Sequence, residues 1–361
     1  LHEEVFMNMP PDFSASQPDM VCKLRKSLYG LIQAPRCWFA KLSTTLKSYG
    51  FQQSYLDYSL FTLHRKDTQL VVLVYIDDLI IVGNTPTAIK HFKLYLSTCF
   101  HMKDLGVLKY FMGIKVAKNS TGIFLCQRKY ALDIISEASL LGVKPVATPL
   151  EQNHHLSLAA GQLLSDPEQY GCLVGHLIYL CFTRPELSYS VHILSQFMQQ
   201  PRIEHWEAAL RVVRFLKGNP RQGIFFAREC DLQLYGWCDS DWASCPLTRR
   251  SVTGWLAEYR SMATTTCVLK WLKGILSNLG VVHDKPMTIR CDSQAALHIA
   301  KNPVFHERTK HIKVDCHFVW DEILKDNIRP SYVPTIAQLA NIFTKALGEM
   351  QFETFLGKLG I

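Results

Sequence analysis

Long hydrophobic runs, paired cysteines and repeats are all missing from this 361-residue sequence, and each absence removes a class of protein. Nothing approaches the ~18 consecutive apolar residues of a membrane-spanning helix, and no secretory segment is read at the start, so no membrane partner is expected. Twelve cysteines are scattered without one CxxC pair. That argues against a disulfide scaffold and for reduced thiols in a soluble, intracellular, cytoplasmic protein. Solenoids and disordered arrays drop out because there is no internal repeat or low-complexity tract. Acidic residues are the scarcer charge: 31 Asp and Glu against 39 Lys and Arg leave +8, which favours a polyanionic partner. Hydrophobic residues at 48% and charged residues at 19% give a globular balance, and the length suggests two or three domains. The opening text LHEEVFMNMPPDF begins on Leu1 with no strand or helix ahead of it, which reads as a piece of something longer.

What is present starts with residues 71–82, VVLVYIDDLIIV. Val, Ile and Tyr favour strands, so the run predicts two short strands meeting at a tight turn with Asp77 and Asp78 at its tip. Two adjacent carboxylates repel, and no Lys or Arg lies between Lys66 and Lys90 to neutralise them. One reading is a turn whose acids face solvent. The sharper reading is a divalent-metal site, because Mg²⁺ takes carboxylate oxygens and shares them with substrate phosphates.

Composition shifts divide the chain into strands mixed with helices over 1–125, a mainly helical region over 126–230, an α/β domain over 231–347 and a short amphipathic tail over 348–361. In the helical region Trp206, Leu210 and Val213 share one face and Ala209, Val212 and Leu216 the next, with Gly218-Asn219-Pro220 as the stop. The segment 23–39, KLRKSLYGLIQAPRCWF, interleaves Lys23, Arg25, Lys26 and Arg36 with Tyr29, Trp38 and Phe39. It is either a solvated basic face over core aromatics or a surface that neutralises phosphates and stacks on bases. Asp239 in WCDSDW, Glu258 in AEYRSMA and Asp292 in TIRCDSQAAL lie at the ends or starts of separate elements. Carboxylates converging in this way suit two-metal phosphodiester hydrolysis, although each alone reads as an ordinary exposed acid. His306, His311 and His317 with Cys316 have spacings that fit no common zinc pattern.

The strings SLYGLIQAPRCWF and YIDDLIIVG, followed in order by MKDLGVLKYFMGIKV, LVGHLIYLCFTRPELSYSV, RFLKGNPRQG, DSDWASCPLTRRSVTGW, NPVFHERTKHIKVDCHFV and QLANIFTKAL, resemble the reverse transcriptase and RNase H region of copia-type long-terminal-repeat retrotransposon Pol polyproteins. The likeness covers nearly the whole chain. It implies an α+β fold: a partial polymerase palm, a helical thumb and connection region, and an RNase H-like α/β domain. It implies Asp77 as a Mg²⁺ ligand assisted by Asp78, and Gln33, Ala34 and Pro35 beside nucleotide and template. Lys23, Arg25, Lys26 and Arg36 join them as template-binding cations. Phe111, Met112 and Gly113 match the primer-gripping turn, and Asp239, Glu258 and Asp292 the RNase H metal ligands, with Asp241 structural. The implied partners are an RNA template, a DNA primer, an RNA–DNA hybrid, deoxynucleotides and the rest of the Pol polyprotein, in a retrotransposon particle.

Departures from the family text lead to the expectation of a truncated or decayed copy. Ile32 stands where the family has lysine. The family's first polymerase aspartate lies upstream of the EEVYM text, and the sequence starts after it. SVTGW runs straight into LAEYRSMA, so two RNase H strands, on the order of 20 residues, are expected to be missing. Asn341 in LANIFTK replaces the family's fourth RNase H carboxylate. A catalytically inactive nucleic-acid-binding remnant is the alternative.

Overall fold

A computed structural model describes residues 4–9, 20–28, 30–239, 254–302 and 313–360, with the side chains of residues 254–258 and of Lys313 outside it. Tyr29, Asp241, His306, His311 and the Glu258 side chain therefore lie outside the described residues. The chain is mixed α and β and divides into two compact units, residues 1–106 with 274–282, and residues 107–273 with 283–361.

In the first unit, strands β1 (Phe6–Asn8) and β2 (Val21–Lys23) form an antiparallel ribbon of their own. Helix α1 (Ala34–Tyr49) follows, then an antiparallel sheet of β3 (Gln52–Gln53), β4 (Leu60–Arg65), β5 (Thr68–Tyr75) and β6 (Asp78–Gly83), in that order, and helix α2 (Pro86–Cys99). The two-residue period of β5 puts Leu70, Val72 and Val74 on the buried face, against Leu42 and Leu46 of α1 and Phe92 and Leu96 of α2. α1 stops at Gly50, whose φ of 112° is a left-handed cap.

The second unit holds two cores. In the first, strands β7 (Tyr110–Phe111), β8 (Ile114–Lys118), β9 (Gly122–Cys126) and β10 (Ile224–Ala227) form a sheet in the order β10-β9-β8-β7. The sheet accompanies helices α3 (Arg128–Glu137), α4 (Pro167–Leu180), α5 (Ser188–Ser195) and α6 (Ile203–Gly218). α6 carries the expected faces, with Ala209, Val212, Val213 and Leu216 buried. Because β10 pairs with β9 across about a hundred residues of chain, the strands after 106 cluster with the helices, while the sequence places an edge at 125.

The second core is a parallel sheet, β11 (Tyr235–Cys238), β12 (Met287–Cys291) and β13 (Ile328–Tyr332), with helices α7 (Gly254–Asn278), α8 (Gln294–Lys301) and α9 (Lys313–Leu324). Tyr259, Met262, Ile289, Ala300 and Val319 pack between them. The chain then runs through the short α10 (Asn341–Thr344) to α11 (Glu349–Leu359), whose Phe352 and Phe355 join the helical core, Phe352 edge-on to Phe215. The tail is thus a docked helix.

A buried ion pair fixes the turn between α4 and α5. The Arg184 guanidinium, 1% exposed, donates to Glu186 at 2.5 Å, to the Asn219 carbonyl at 2.9 Å and to Gln222 at 3.1 Å. Burial pushes the Glu186 carboxyl above its usual range while Arg184 opposes that shift. Arg184→Ala leaves the acid unpaired in the core, and an expected loss of about 3–5 kcal/mol is to be read from urea unfolding. A loss under ~1 kcal/mol would show the pair to be dispensable.

Candidate functional site

The Asp77-Asp78 hairpin is built as its sequence predicts. Tyr75 pairs with Asp78, so Ile76 and Asp77 form a two-residue turn, and both carboxylates are exposed. Ile76 sits at φ 52°, a left-handed conformation that a β-branched residue adopts only at a cost of about 1–3 kcal/mol. The Trp38 indole N–H donates to the Ile76 carbonyl at 2.8 Å and holds the turn there. Trp38 stands on the first turns of α1, which opens with Gln33 at its N-cap, Pro35 in its first turn and then Arg36. The segment Gln33, Ala34, Pro35 and Arg36 and the twin acids are thereby brought to one end of the unit.

This link was not legible from spacing, since Trp38 read only as one of several aromatics among cations. Trp38→Phe keeps the ring against Phe100, now 5.1 Å between centroids, and removes only the donor. It is expected to cost about 1 kcal/mol and to speed hydrogen exchange at the hairpin amides. Unchanged exchange would show that the indole does not fix the turn.

Lys23 lies on β2, paired with Glu4 and over the Phe6 ring, while Arg25, Lys26 and Arg36 are exposed. Ile32, where the resembled text has lysine, is 94% exposed. The residues Phe111, Met112 and Gly113 form the β7–β8 turn: Phe111 pairs with Ile114, and Met112 and Gly113 take φ of 50° and 70°. That is the mirror-image turn suited to a two-residue hairpin. Its Met112 carbonyl accepts from the Tyr179 hydroxyl of α4.

Asp239 and Asp292 follow neighbouring strands of the second unit. β11 and β12 run parallel with Cys238 opposite Cys291, so the two acids stand at the carboxyl ends of adjacent strands, which lie about 5 Å apart in a sheet. Below them the Cys238 thiol is pushed far up, first by its hydrogen bond with Cys291 and then by burial. Ser293 caps α8 by accepting from the Ala296 N–H at 3.2 Å, which fixes the turn after Asp292. Glu258 belongs to α7 by its backbone alone. The Asp239 carboxylate, 3% exposed, accepts from the Thr344 hydroxyl at 2.6 Å and from the Lys345 ammonium at 3.2 and 3.4 Å. Lys345 also donates to the Asn341 amide oxygen at 2.9 Å, and the Asn341 amide nitrogen donates to the Thr335 carbonyl at 2.9 Å. Lys345 and Thr344 were not expected at the site; Thr344 ends α10 and Lys345 is its extended C-cap residue, whose N–H donates to the Asn341 carbonyl at 2.9 Å.

The two places differ in their suitability for a divalent metal. Asp77 and Asp78 offer exposed carboxylate oxygens without an ion pair among the described residues, which fits Mg²⁺ as part of a larger ligand set. At Asp239 the carboxylate already faces an ammonium, and the neighbouring amide is turned to that same ammonium, so the described donor set does not fit. Among the described residues no group of three or more His, Cys, Asp or Glu is arranged to hold a metal ion. Cys316 is buried in the second core and His317 is exposed. No described helix is long and apolar enough to cross a membrane.

Comparison with known proteins agrees with the motifs. The profile of the reverse transcriptase (RNA-dependent DNA polymerase) family matches residues 1–152. A retrovirus-related Pol polyprotein from transposon RE2 of Arabidopsis thaliana is 40% identical over all of this chain, which spans 26% of that protein. A transposon Ty5-1 protein of Saccharomyces cerevisiae is 30% identical over 76% of this chain and 90% of its own length. An uncharacterized mitochondrial protein of Arabidopsis thaliana is 35% identical over 56% of this chain and 94% of its own. The chain spans about a quarter of the length of the Pol polyproteins it matches. No solved structure matches it. With likeness over the whole of this chain to Pol polyproteins and near-complete coverage of shorter relatives, the chain belongs to the copia-type Pol polyprotein reverse transcriptase family.

Proposed function

We propose that this chain is the template-holding and partial catalytic region of an RNA-directed DNA polymerase with an attached RNase H-like domain, in a decayed copy of a copia-type element. Residues 1–125 are the palm, 126–230 the thumb and connection, 231–347 the RNase H-like domain and 348–361 its tail. The observation that carries the reading is the exposed Asp77-Asp78 hairpin tied through Trp38 to the Gln33–Arg36 segment. A carboxylate pair with no ion pair among the described residues, linked through Trp38 to the helix start that carries exposed Arg36, is suited to a nucleotide's phosphates and their metal.

The family generally uses Mg²⁺. When bound, Mg²⁺ supplies charge neutralisation for the triphosphate and activation of the primer 3′-hydroxyl. Asp77 is the ligand and Asp78 assists. Gln33, Ala34 and Pro35 border nucleotide and template, and Lys23, Arg25, Lys26 and Arg36 contact phosphates. The turn of Phe111, Met112 and Gly113 grips the primer, and Asp239, Glu258 and Asp292 descend from the RNase H site. Partners are an RNA template, a DNA primer, their hybrid and deoxynucleotides, with the remaining Pol polyprotein around them in an intracellular particle.

Loss of residues is supported by the alignment to the RE2 polyprotein, which runs over 386 positions for the 361 residues here, so that at least 25 positions have no counterpart. In number alone that accords with the two strands expected to be missing before α7.

Fluorescence anisotropy of a labelled RNA–DNA hybrid tests the nucleic-acid role. Affinity is expected to fall steeply with salt, with a log–log slope of roughly −0.9 per phosphate neutralised. Changing Lys23, Arg25, Lys26 and Arg36 together to Ala should flatten the slope by roughly one for each cation that touches a phosphate. Affinity indifferent to salt and to this fourfold change would remove the basis for the reading.

A further inference from the structure

The buried carboxylate at the end of β11 already has a cation. We propose that Lys345 is the resident cation of this sheet end and keeps divalent metal ions off it. The inference stands on the contacts around Asp239 and needs no assumption about nucleic acid.

The Asp239 carboxylate is almost wholly withdrawn from water, and a lone charge there would cost several kcal/mol. Its oxygens are satisfied from within the chain. One accepts from Thr344 at 2.6 Å and Lys345 at 3.2 Å, the other from Lys345 at 3.4 Å. The lysine is itself aimed. Asn341 lies one turn earlier on the same helical segment, and because its amide nitrogen is committed to the Thr335 carbonyl, its oxygen is the end presented to the ammonium. The ammonium thus bridges a carboxylate and an amide oxygen while staying 34% exposed.

A Mg²⁺ or Mn²⁺ ion at Asp239 would have to compete with this ammonium for both carboxylate oxygens, each of which already accepts from it, and would be repelled by its charge. What it would gain is small. Asp292 is the other described carboxylate at the end of the sheet, and Asn341 offers a neutral oxygen where an acid would add charge. Such hard ions need several oxygen ligands in near-octahedral array. With Lys345 removed, Asp239 has a hydroxyl partner but no counter-charge among the described residues, and a metal ion becomes the simplest replacement. Lys345 is therefore a specificity-determining residue for the cation held at this place.

Mn²⁺ binding to the full chain tests this, followed by water-proton relaxation and by the thermal unfolding midpoint. In the native chain, millimolar Mn²⁺ is expected to give no binding that Asp239→Asn removes, and no rise in the midpoint. Lys345→Met is expected to lower the midpoint without metal, to recover it in millimolar Mn²⁺, and to show a relaxation enhancement that Asp239→Asn abolishes. Lys345→Gln, which keeps a donor to Asn341 while losing the charge, guards against a Met variant that fails to fold and should also gain the ion. Mn²⁺ bound at Asp239 in the native chain overturns the proposal. So does a folded Lys345→Gln chain that takes up no Mn²⁺, because the lysine is then not what excludes the ion.

Discussion

Joined at its amino end to the residues that precede the matched region in the RE2 polyprotein, the chain is expected to extend a DNA primer on an RNA template in Mg²⁺, whereas the 361 residues alone extend none. The reason is a count of carboxylates. Two-metal phosphoryl transfer needs acids from two strands facing the same reacting oxygens. Asp77 and Asp78 come from one hairpin, successive strand side chains point to opposite faces, and no third carboxylate joins them among the described residues. Asp77→Asn in the joined protein should lower extension on the order of a thousandfold, the equivalent of about 4 kcal/mol of lost charge stabilisation. Asp78→Asn should cost less, since Asp78 already begins the β6 ladder opposite Tyr75. Extension by the 361 residues alone that survives Asp77→Asn would show that the polymerase site lies elsewhere.

The second large effect concerns RNA cleavage. The chain is expected to leave the RNA strand of a labelled hybrid intact, and Asn341→Asp alone to restore nothing. From sequence the substitution reads as shape-preserving. The structure shows a further cost, because the Asn341 amide nitrogen donates to the Thr335 carbonyl. A carboxylate there sets acceptor against acceptor, at about 1–3 kcal/mol if the carbonyl is left unpaired. Reinserting the residues that the RE2 polyprotein has before the AEYRSMA text, together with Asn341→Asp and with Lys345→Met to open Asp239 to a metal ion, is expected to give cleavage that needs Asp239, Glu258 and Asp292. All four combinations of the two repairs should be assayed, each with and without Lys345→Met. Cleavage by Asn341→Asp alone, lost again in Asp292→Asn, would show that the shortened domain works and that the missing strands are not the disabling change.

Local pattern carried much of this fold. The alternation Leu70, Val72, Val74 and the abrupt Asp77-Asp78 pair were enough for the hairpin, and the three- and four-residue spacing of Ala209, Val212, Val213 and Leu216 for α6. Asp292 was legible as the end of a strand and the start of a helix because Ser293 is a helix cap in a fixed place. What escaped depends on partners distant in the chain. The β9–β10 pairing joins residues about a hundred positions apart, and neither strand names its mate. Trp38 is one aromatic among several until the strained Ile76 carbonyl supplies its acceptor 38 positions away. Lys345 is one basic residue among many until Asp239, 106 positions earlier, lands beside it. The tail reads as amphipathic, and only the helical core shows where Phe352 and Phe355 go.

The Asp77-Asp78 hairpin is proposed to face the growing end of a nucleic-acid primer. Photo-crosslinking a primer that carries a reactive group at its 3′ terminus, annealed to an RNA template and bound to the native chain, tests this without requiring catalysis. Peptide mapping is expected to place the crosslinks in residues 75–79 and 33–38, with loss of crosslinking when excess unlabelled hybrid competes. Crosslinks confined to other segments, or equally strong with an unpaired oligonucleotide, would contradict it.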